Sequence, residues 1–333
     1  MKYLLKKVLS ERLLIFLRRI RLFFPMFFRH MHEMYRELCY SATFRSDKTS
    51  DLSRLFIKTH VLEKGLSMPD RRLGFGMERI HDIIQESNKS IKKYGDNHVE
   101  IQAALAALNE YLVIHDTSDF VLPENITNPI RSLLKHLKDS DSGSILIHRD
   151  DCFVRHTDFE SMAKSRHSVR WFANGVVDES KVLSAITLAQ TAPSACNRQS
   201  VRVKIITDKK LIGELCKLQN GNRGFGINAD KWLLITSEMG AWDAVLYGAA
   251  YLDAGIFAGN LLYALHYYGI AACALNAYLS PSEQRELRRL LEYPKSEIPM
   301  LFIAIGNPPN SFKIARSRRL DTHNIITQNK GIL

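Results

Sequence analysis

Cysteine is scarce in this chain of 333 residues: five in all, Cys39, Cys152, Cys196, Cys216 and Cys273, with no C-x-x-C pair. An odd, scattered set argues against a disulfide framework or a cysteine zinc site. It fits a reducing compartment, with each thiol acting as a small apolar filler. The sequence also lacks G-x-x-x-x-G-K-[ST], a G-x-G-x-x-G after a strand, H-E-x-x-H and any carboxylate-rich loop. No P-loop, dinucleotide fold or metal centre is therefore indicated. No apolar run approaches the roughly 20 residues of a membrane span. Glu11, Arg12 and Arg18-Arg19-Ile20-Arg21 interrupt any stretch that could serve as a secretory signal. Gly74-Phe75-Gly76 and Gly224-Phe225-Gly226 are too short to signify more than turns.

Positive charge is abundant, and most of it is at one end. The formal net charge is +11, and residues 1–30 hold eight Lys and Arg against Glu11 alone. These cations alternate with Leu4, Leu5, Leu13, Leu14, Phe16, Phe23, Phe24, Phe27 and Phe28. Such apolar content is foreign to a nucleic-acid arm, and no nucleic-acid partner is expected. Two readings stay open: a basic amphipathic helix on an anionic membrane, or a helix packed on its own domain or a partner. The expected location is cytoplasmic, with peripheral contact at the inner face of the membrane under the first reading.

At 46% hydrophobic residues the rest of the chain can build a substantial core, and its length suggests two domains. The expected division is a basic segment at 1–30, a helical domain at 31–140, a linker at 141–155, a second domain at 156–325 and a tail at 326–333. In the helical domain Asp51 caps a helix through Leu62 that Gly65 stops, and helices follow over 77–94 and 97–115 with Gly95 between. Pro129 starts a short helix ending near Lys138, and Asp139–Ser144 is polar and small.

The second domain alternates elements. Thr157 and Glu160 form a capping box, Asp178 caps a helix to about Thr191, and Asp208 opens one to Leu218. Strands are expected at Val201–Thr207, Trp232–Thr236, Ala271–Leu279 and Leu301–Ile305, with a long apolar helix over Trp242–Gly269. Ser280-Pro281-Ser282-Glu283 is a second capping box. This order predicts an α+β layered fold. Asp253 and Asn260 within the long helix argue for a buried helix rather than a membrane span.

Two segments carry chemistry. Arg166-His167-Ser168-Val169-Arg170 gathers two guanidiniums, an imidazole and a hydroxyl, a donor set suited to phosphate. Pro193-Ser194-Ala195-Cys196-Asn197-Arg198-Gln199 places small residues and amides after a helix. A basic run, Lys313, Arg316, Arg318 and Arg319, follows Gly306-Asn307-Pro308. Taken together, these segments resemble the nitroreductase family of FMN-dependent oxidoreductases over roughly residues 155–325.

The resemblance implies a dimeric α+β fold, its central mixed or antiparallel sheet flanked by helices, preceded here by a mostly helical N-terminal domain. It also implies FMN as cofactor and NAD(P)H as electron donor, in ping-pong turnover at flavin N5 toward a small-molecule acceptor. Arg166 and Ser168, with His167 between them, would meet the phosphate and ribityl end, Arg170 the pyrimidine edge, and Arg316 and Arg318 the phosphate. Pro193, Ser194, Ala195, Asn197 and Gln199 would cover the flavin, often from the opposite subunit. Asn222, with Asn220 as competitor, would bond the pyrimidine. Because the flavin carries the chemistry, no catalytic side chain is singled out. Two alternatives remain. One is a non-catalytic flavoprotein or scaffold docking a membrane complex; the other is a flavin-dependent dehydrogenase of a peptide or small molecule. The segment from His60 to Gly76 is dense in charge and glycine, so Glu63, Lys64, Arg71 and Arg72 are candidates for a substrate- or partner-facing role.

Overall fold

The computed structural model describes residues 11–40, 46–138, 142–153, 158–242 and 248–327. Its central sheet has the order β2-β3-β5-β4, antiparallel throughout: β2 (Val201–Ile206), β3 (Lys231–Glu238), β5 (Glu297–Gly306) and β4 (Ala271–Asn276). Strand alternation sorts the apolar side chains to two faces, and both are buried. Trp232, Leu234, Phe302, Ala304 and Cys273 point into one core with Ile212, Leu215 and Leu287. These last three come from α9 (Lys209–Leu218) and α11 (Pro281–Leu291). Leu233, Ile235, Ile303 and Ile305 point the other way. There they meet Val182 and Ala185 of α8 (Glu179–Ala189) and Phe257 and Leu261 of α10 (Ala249–Tyr267). The α+β class is as the sequence indicates.

Cap chemistry sets the helix ends. The Asp178 carboxylate accepts from Ser180 N at 2.9 Å, Asp208 accepts from Leu211 N at 2.7 Å, and Ser280 with Glu283 forms the expected capping box. Elsewhere neighbours displace the expected cap. Asp158 caps α7 (Phe159–Ser165) through Ser161 N at 2.8 Å, while Thr157 lies outside the described residues. α10 begins at Ala249 after the left-handed Gly248, not at Trp242; that residue is extended, and 243–247 lie outside the described residues. Among the described residues no helix is long and apolar enough to cross a membrane.

Four N-terminal helices, α2 (Lys48–Leu66), α3 (Met77–Tyr94), α4 (Val99–Asp116) and α5 (Glu124–Leu134), share a core that includes Leu55, Ile80, Leu105, Tyr111 and Ile130. Asp47, not Asp51, caps α2, accepting from Ser50 N at 2.9 Å. Asp51 turns inward and accepts from Tyr94 Oη at 2.7 Å and Lys93 Nζ at 3.0 Å. Gly65 does not stop α2. It sits inside the helix because a Cβ there would meet the Phe75 ring at 2.4 Å. Pro129 lies within α5 rather than at its start, since the helix already opens at Glu124.

The sequence missed a second, two-stranded sheet. β1 (Ser144–His148) falls in the stretch expected as linker and pairs antiparallel with β6 (Ser311–Ala315), Ser144 opposite Ala315. The four-residue α6 (Arg149–Cys152) follows β1. Glu110 of α4, buried, accepts from Ser144 N at 2.7 Å, Ser144 Oγ at 2.5 Å and Lys313 Nζ at 3.2 Å. Met68 packs against the core that holds Trp232, so the helical unit and the sheet unit share apolar contact as well.

α1 (Glu11–Tyr40) continues ten residues beyond the expected basic segment. Leu13, Leu17, Ile20, Phe24, Phe27, Met31, Met34 and Leu38 alternate at spacings of four and three, forming one stripe, and all are exposed. Arg12, Arg18 and Arg19 lie off that stripe and are exposed too. Residues 1–10, with Lys2, Lys6 and Lys7, lie outside the described residues.

Candidate functional site

The chain leaves α7 at Arg166 in extended conformation and runs beside β4, where Val169 N donates to Ala272 O at 3.0 Å. Val169 is buried in the core, and this anchor leaves Arg166, His167, Ser168 and Arg170 half-buried around it. The Arg166 guanidinium lies 5.9 Å from the Tyr263 ring centre. Phe172 then fills the space under Gly306, where a Cβ would meet its ring at 2.6 Å. Ala173 pairs with Asn307. This docking fixes the start of the basic tail relative to Arg166–Arg170.

After β6, Arg316 N donates to Gly143 O at 3.1 Å, and Ser317 takes a left-handed conformation with φ 49°. The tail thereby turns back toward the first segment. Burial, and then the charges of Arg166 and Arg319, hold the His167 imidazole below its ordinary pKa. Thus Arg319, which the sequence reading set aside in favour of Arg316 and Arg318, has its charge felt at His167. Lys313, by contrast, is engaged by Glu110.

A third contribution comes from the helical unit. Burial, and then the Arg170 guanidinium, push the Lys64 ammonium of α2 below its ordinary pKa. His60, one turn earlier, places Nδ1 3.3 Å from Glu63 Oε2 and 3.5 Å from Ser317 Oγ. Cys273 lies beneath this cluster, and burial pushes its thiol up despite Arg170. Among the described residues no carboxylate comes within salt-bridge distance of Lys64, Arg166 or Arg170. A cation group of this kind has the donor chemistry that suits an anion.

The Pro193–Gln199 loop stands elsewhere. It is a 3-10 turn in which Cys196, Asn197 and Gln199 all have positive φ, at 53°, 53° and 47°. Such conformations persist only when over-determined by their surroundings. Here Ala195 N donates to Asp253 Oδ2 at 3.0 Å, Arg198 Nη1 to Ala241 O at 2.7 Å and Gln199 N to Ser194 Oγ at 3.2 Å. Asp253, in the middle of the apolar α10, thus serves the loop. Pro193, Ser194 and Gln199 border a cleft of about 450 Å³ floored by Leu183, Val203 and Phe257. Arg170 lines a different cleft of about 540 Å³. Within one protomer the structure does not join the two segments.

Asn222 is buried, and its amide nitrogen donates to Cys216 O at 3.0 Å and to Gln219 O, holding the turn after α9. Asn220 is exposed. Among the described residues no three His, Cys, Asp or Glu side chains are arranged to hold a metal ion.

Residues 163–222 and 213–307 match the model of the Nitroreductase family. No curated protein matches the chain. Solved structures similar to it include a nitroreductase family protein from Streptococcus pneumoniae, 24% identical, covering 52% of this chain and 100% of its own, with a TM-score of 0.45. A nitroreductase family protein from Clostridium difficile is 21% identical over 51% of this chain and 98% of its own, with a TM-score of 0.43. A nitroreductase-like protein from Streptococcus mutans is 18% identical over 52% and 98%, with a TM-score of 0.45.

Proposed function

Since residues 163–307 match the nitroreductase family, we propose that this chain is an oxidoreductase that binds FMN and draws electrons from NAD(P)H. The observation that carries the reading is the cation group along Arg166–Arg170. Arg166 and Arg319 act on His167, Arg170 acts on Lys64, and among the described residues no carboxylate is within salt-bridge distance of Lys64, Arg166 or Arg170. That donor set fits a phosphate monoester. Arg166 and Ser168, with the tail cations Arg316 and Arg318, hold the phosphate and ribityl end, and Arg170 faces the electron-rich edge of the ring. When bound, FMN supplies the redox chemistry, alternating between a nicotinamide donor and an acceptor. The protein's own share is to bind, orient and neutralise charge. Asn222, whose amide nitrogen holds the turn after α9, would offer the pyrimidine its amide oxygen.

The separation of the Pro193–Gln199 loop from the Arg170 cleft supports a site built by two protomers, each loop covering the other's flavin. Leu183, Leu188, Tyr251, Leu252 and Ile256 are exposed on α8 and α10, which pack on each other, and offer apolar surface suited to a second copy. The exposed stripe of α1, with arginines off the stripe, supports peripheral contact with an anionic bilayer.

The test is direct. Purified protein should be yellow and release FMN rather than FAD, and NADH or NADPH should bleach it in stopped flow. Colourless protein that FMN cannot reconstitute refutes the cofactor assignment. Bound flavin that neither nucleotide bleaches refutes the oxidoreductase reading and favours a non-catalytic flavoprotein.

A further inference from the structure

The cleft of about 540 Å³ beside Arg170 has walls from both halves of the chain. Met68, Pro69, Arg71, Arg72 and Phe75 come from the segment after α2, and Arg170, Trp171 and Asn174 face them. The walls are held close at Gly224, where a Cβ would meet Met68 Cε at 2.9 Å. Three guanidiniums border the cleft against a single carboxylate, Asp70. Among the described residues no carboxylate lies within salt-bridge distance of those guanidiniums. Arg71 Nη1 lies 3.4 Å from the carbonyls of Leu66 and Met68, which orient it. Trp171 is 41% exposed at this cleft, and the Phe75 ring packs edge-on against Tyr111 at 5.2 Å. The volume suits a small molecule.

We propose that this cleft binds a planar, anionic small molecule, whose carboxylate or phosphate is held by Arg71 and Arg72 and whose ring rests against Trp171. Guanidinium forks match such oxyanions, and an indole face accepts a flat ring at low entropic cost. The proposal deepens the reading above, with the ligand as the electron partner. It rests on that reading for the ligand's role and not for its binding. The N-terminal unit thereby acquires a function, as the wall that selects for charge.

Calorimetric titration of the full-length, FMN-saturated protein with naphthalene-2-carboxylate and naphthalene-2-carboxamide isolates charge from shape. The carboxylate should bind tighter by about tenfold or more, the scale of one charge-assisted hydrogen bond. Replacing Arg71→Gln and Arg72→Gln together should remove most of that preference and leave carboxamide binding and FMN affinity unchanged. Trp171→Leu should weaken both probes alike. Equal affinity for the two probes, or a preference that survives in the double variant, overturns the proposal. So does carboxylate binding that FMN saturation abolishes, since the cleft would then belong to the flavin. Protein that never takes up FMN yet prefers the carboxylate supports this proposal while refuting the cofactor assignment.

Discussion

Replacing Glu110 by alanine removes a carboxylate that joins α4 to both strands of the β1–β6 pair. Its partners are Ser144 N at 2.7 Å, Ser144 Oγ at 2.5 Å and Lys313 Nζ at 3.2 Å. Hydrogen bonds to a charged group contribute about 1.5–3 kcal/mol each, and the two from Ser144 are made where Glu110 and Ser144 are both buried. The Lys313 side chain is 34% exposed, so its ion pair adds only about 0–1 kcal/mol. Contributions within one network are not additive, and a net loss of about 2–4 kcal/mol follows. Glu110→Gln keeps one acceptor and should lose about half as much. Urea denaturation followed by circular dichroism and tryptophan fluorescence measures this, with Ser144→Ala completing a double-mutant cycle. The double variant should be little worse than Glu110→Ala alone, because both changes remove the same bonds. Unchanged denaturation of Glu110→Ala, or strict additivity in the cycle, refutes the shared-carboxylate account.

Arg166→Ala should weaken FMN binding by about 1.5–3 kcal/mol in fluorescence titration, and an unchanged affinity removes Arg166 from the phosphate site. Asp51 is held down to about 2 from 3.8, chiefly by the Tyr94 hydroxyl, with Lys93 and Ser46 adding and burial opposing. A depressed carboxyl stabilises the fold above its ordinary value and loses that contribution as pH falls from about 4 to about 2. Asp51→Asn should therefore flatten stability against pH in that window, and an unaltered slope counts against the assignment. Light scattering should find a dimer, and a stable monomer that retains FMN excludes the two-protomer site. Full-length protein should sediment with anionic vesicles more than protein lacking residues 1–40, and less so at 1 M salt, where the Debye length falls to about 3 Å. Equal sedimentation leaves α1 as a helix for a protein partner.

Much of the sheet unit was legible because its signals are local. Apolar runs at 232–236 and 301–305 and the Ser280–Glu283 capping box lie within β3, β5 and the start of α11, and each depends on neighbours in sequence. The β1–β6 pair was not legible, since Ser144–His148 and Ser311–Ala315 are short and find each other across most of the second half of the chain. Asp51 and Gly65 misled for a related reason. Both are common cap residues, but Tyr94 claims the first and the Phe75 ring the second, and both partners are tertiary. In the site, the order of Arg166, Ser168 and Arg170 was readable as a motif. Lys64 lies outside the region of resemblance, so its approach to Arg170 could not be read from the motif. Nor could the approach of Arg319 to His167, which depends on the left-handed turn at Ser317.

The β1–β6 pairing has a thermodynamic consequence. Arg316 is held through its own N–H to Gly143, and β1 is held by Glu110 of the helical unit. A ligand gripped by the tail cations is thus gripped by a segment whose position depends on how the helical unit is seated. Reciprocity follows from linkage: whatever factor separates ligand affinity between seated and unseated forms also multiplies the seating equilibrium when the ligand binds. A partner that shifts the seating of the helical unit would then alter the grip of the tail cations on a ligand, and that ligand would alter the seating, with equal strength in the two directions.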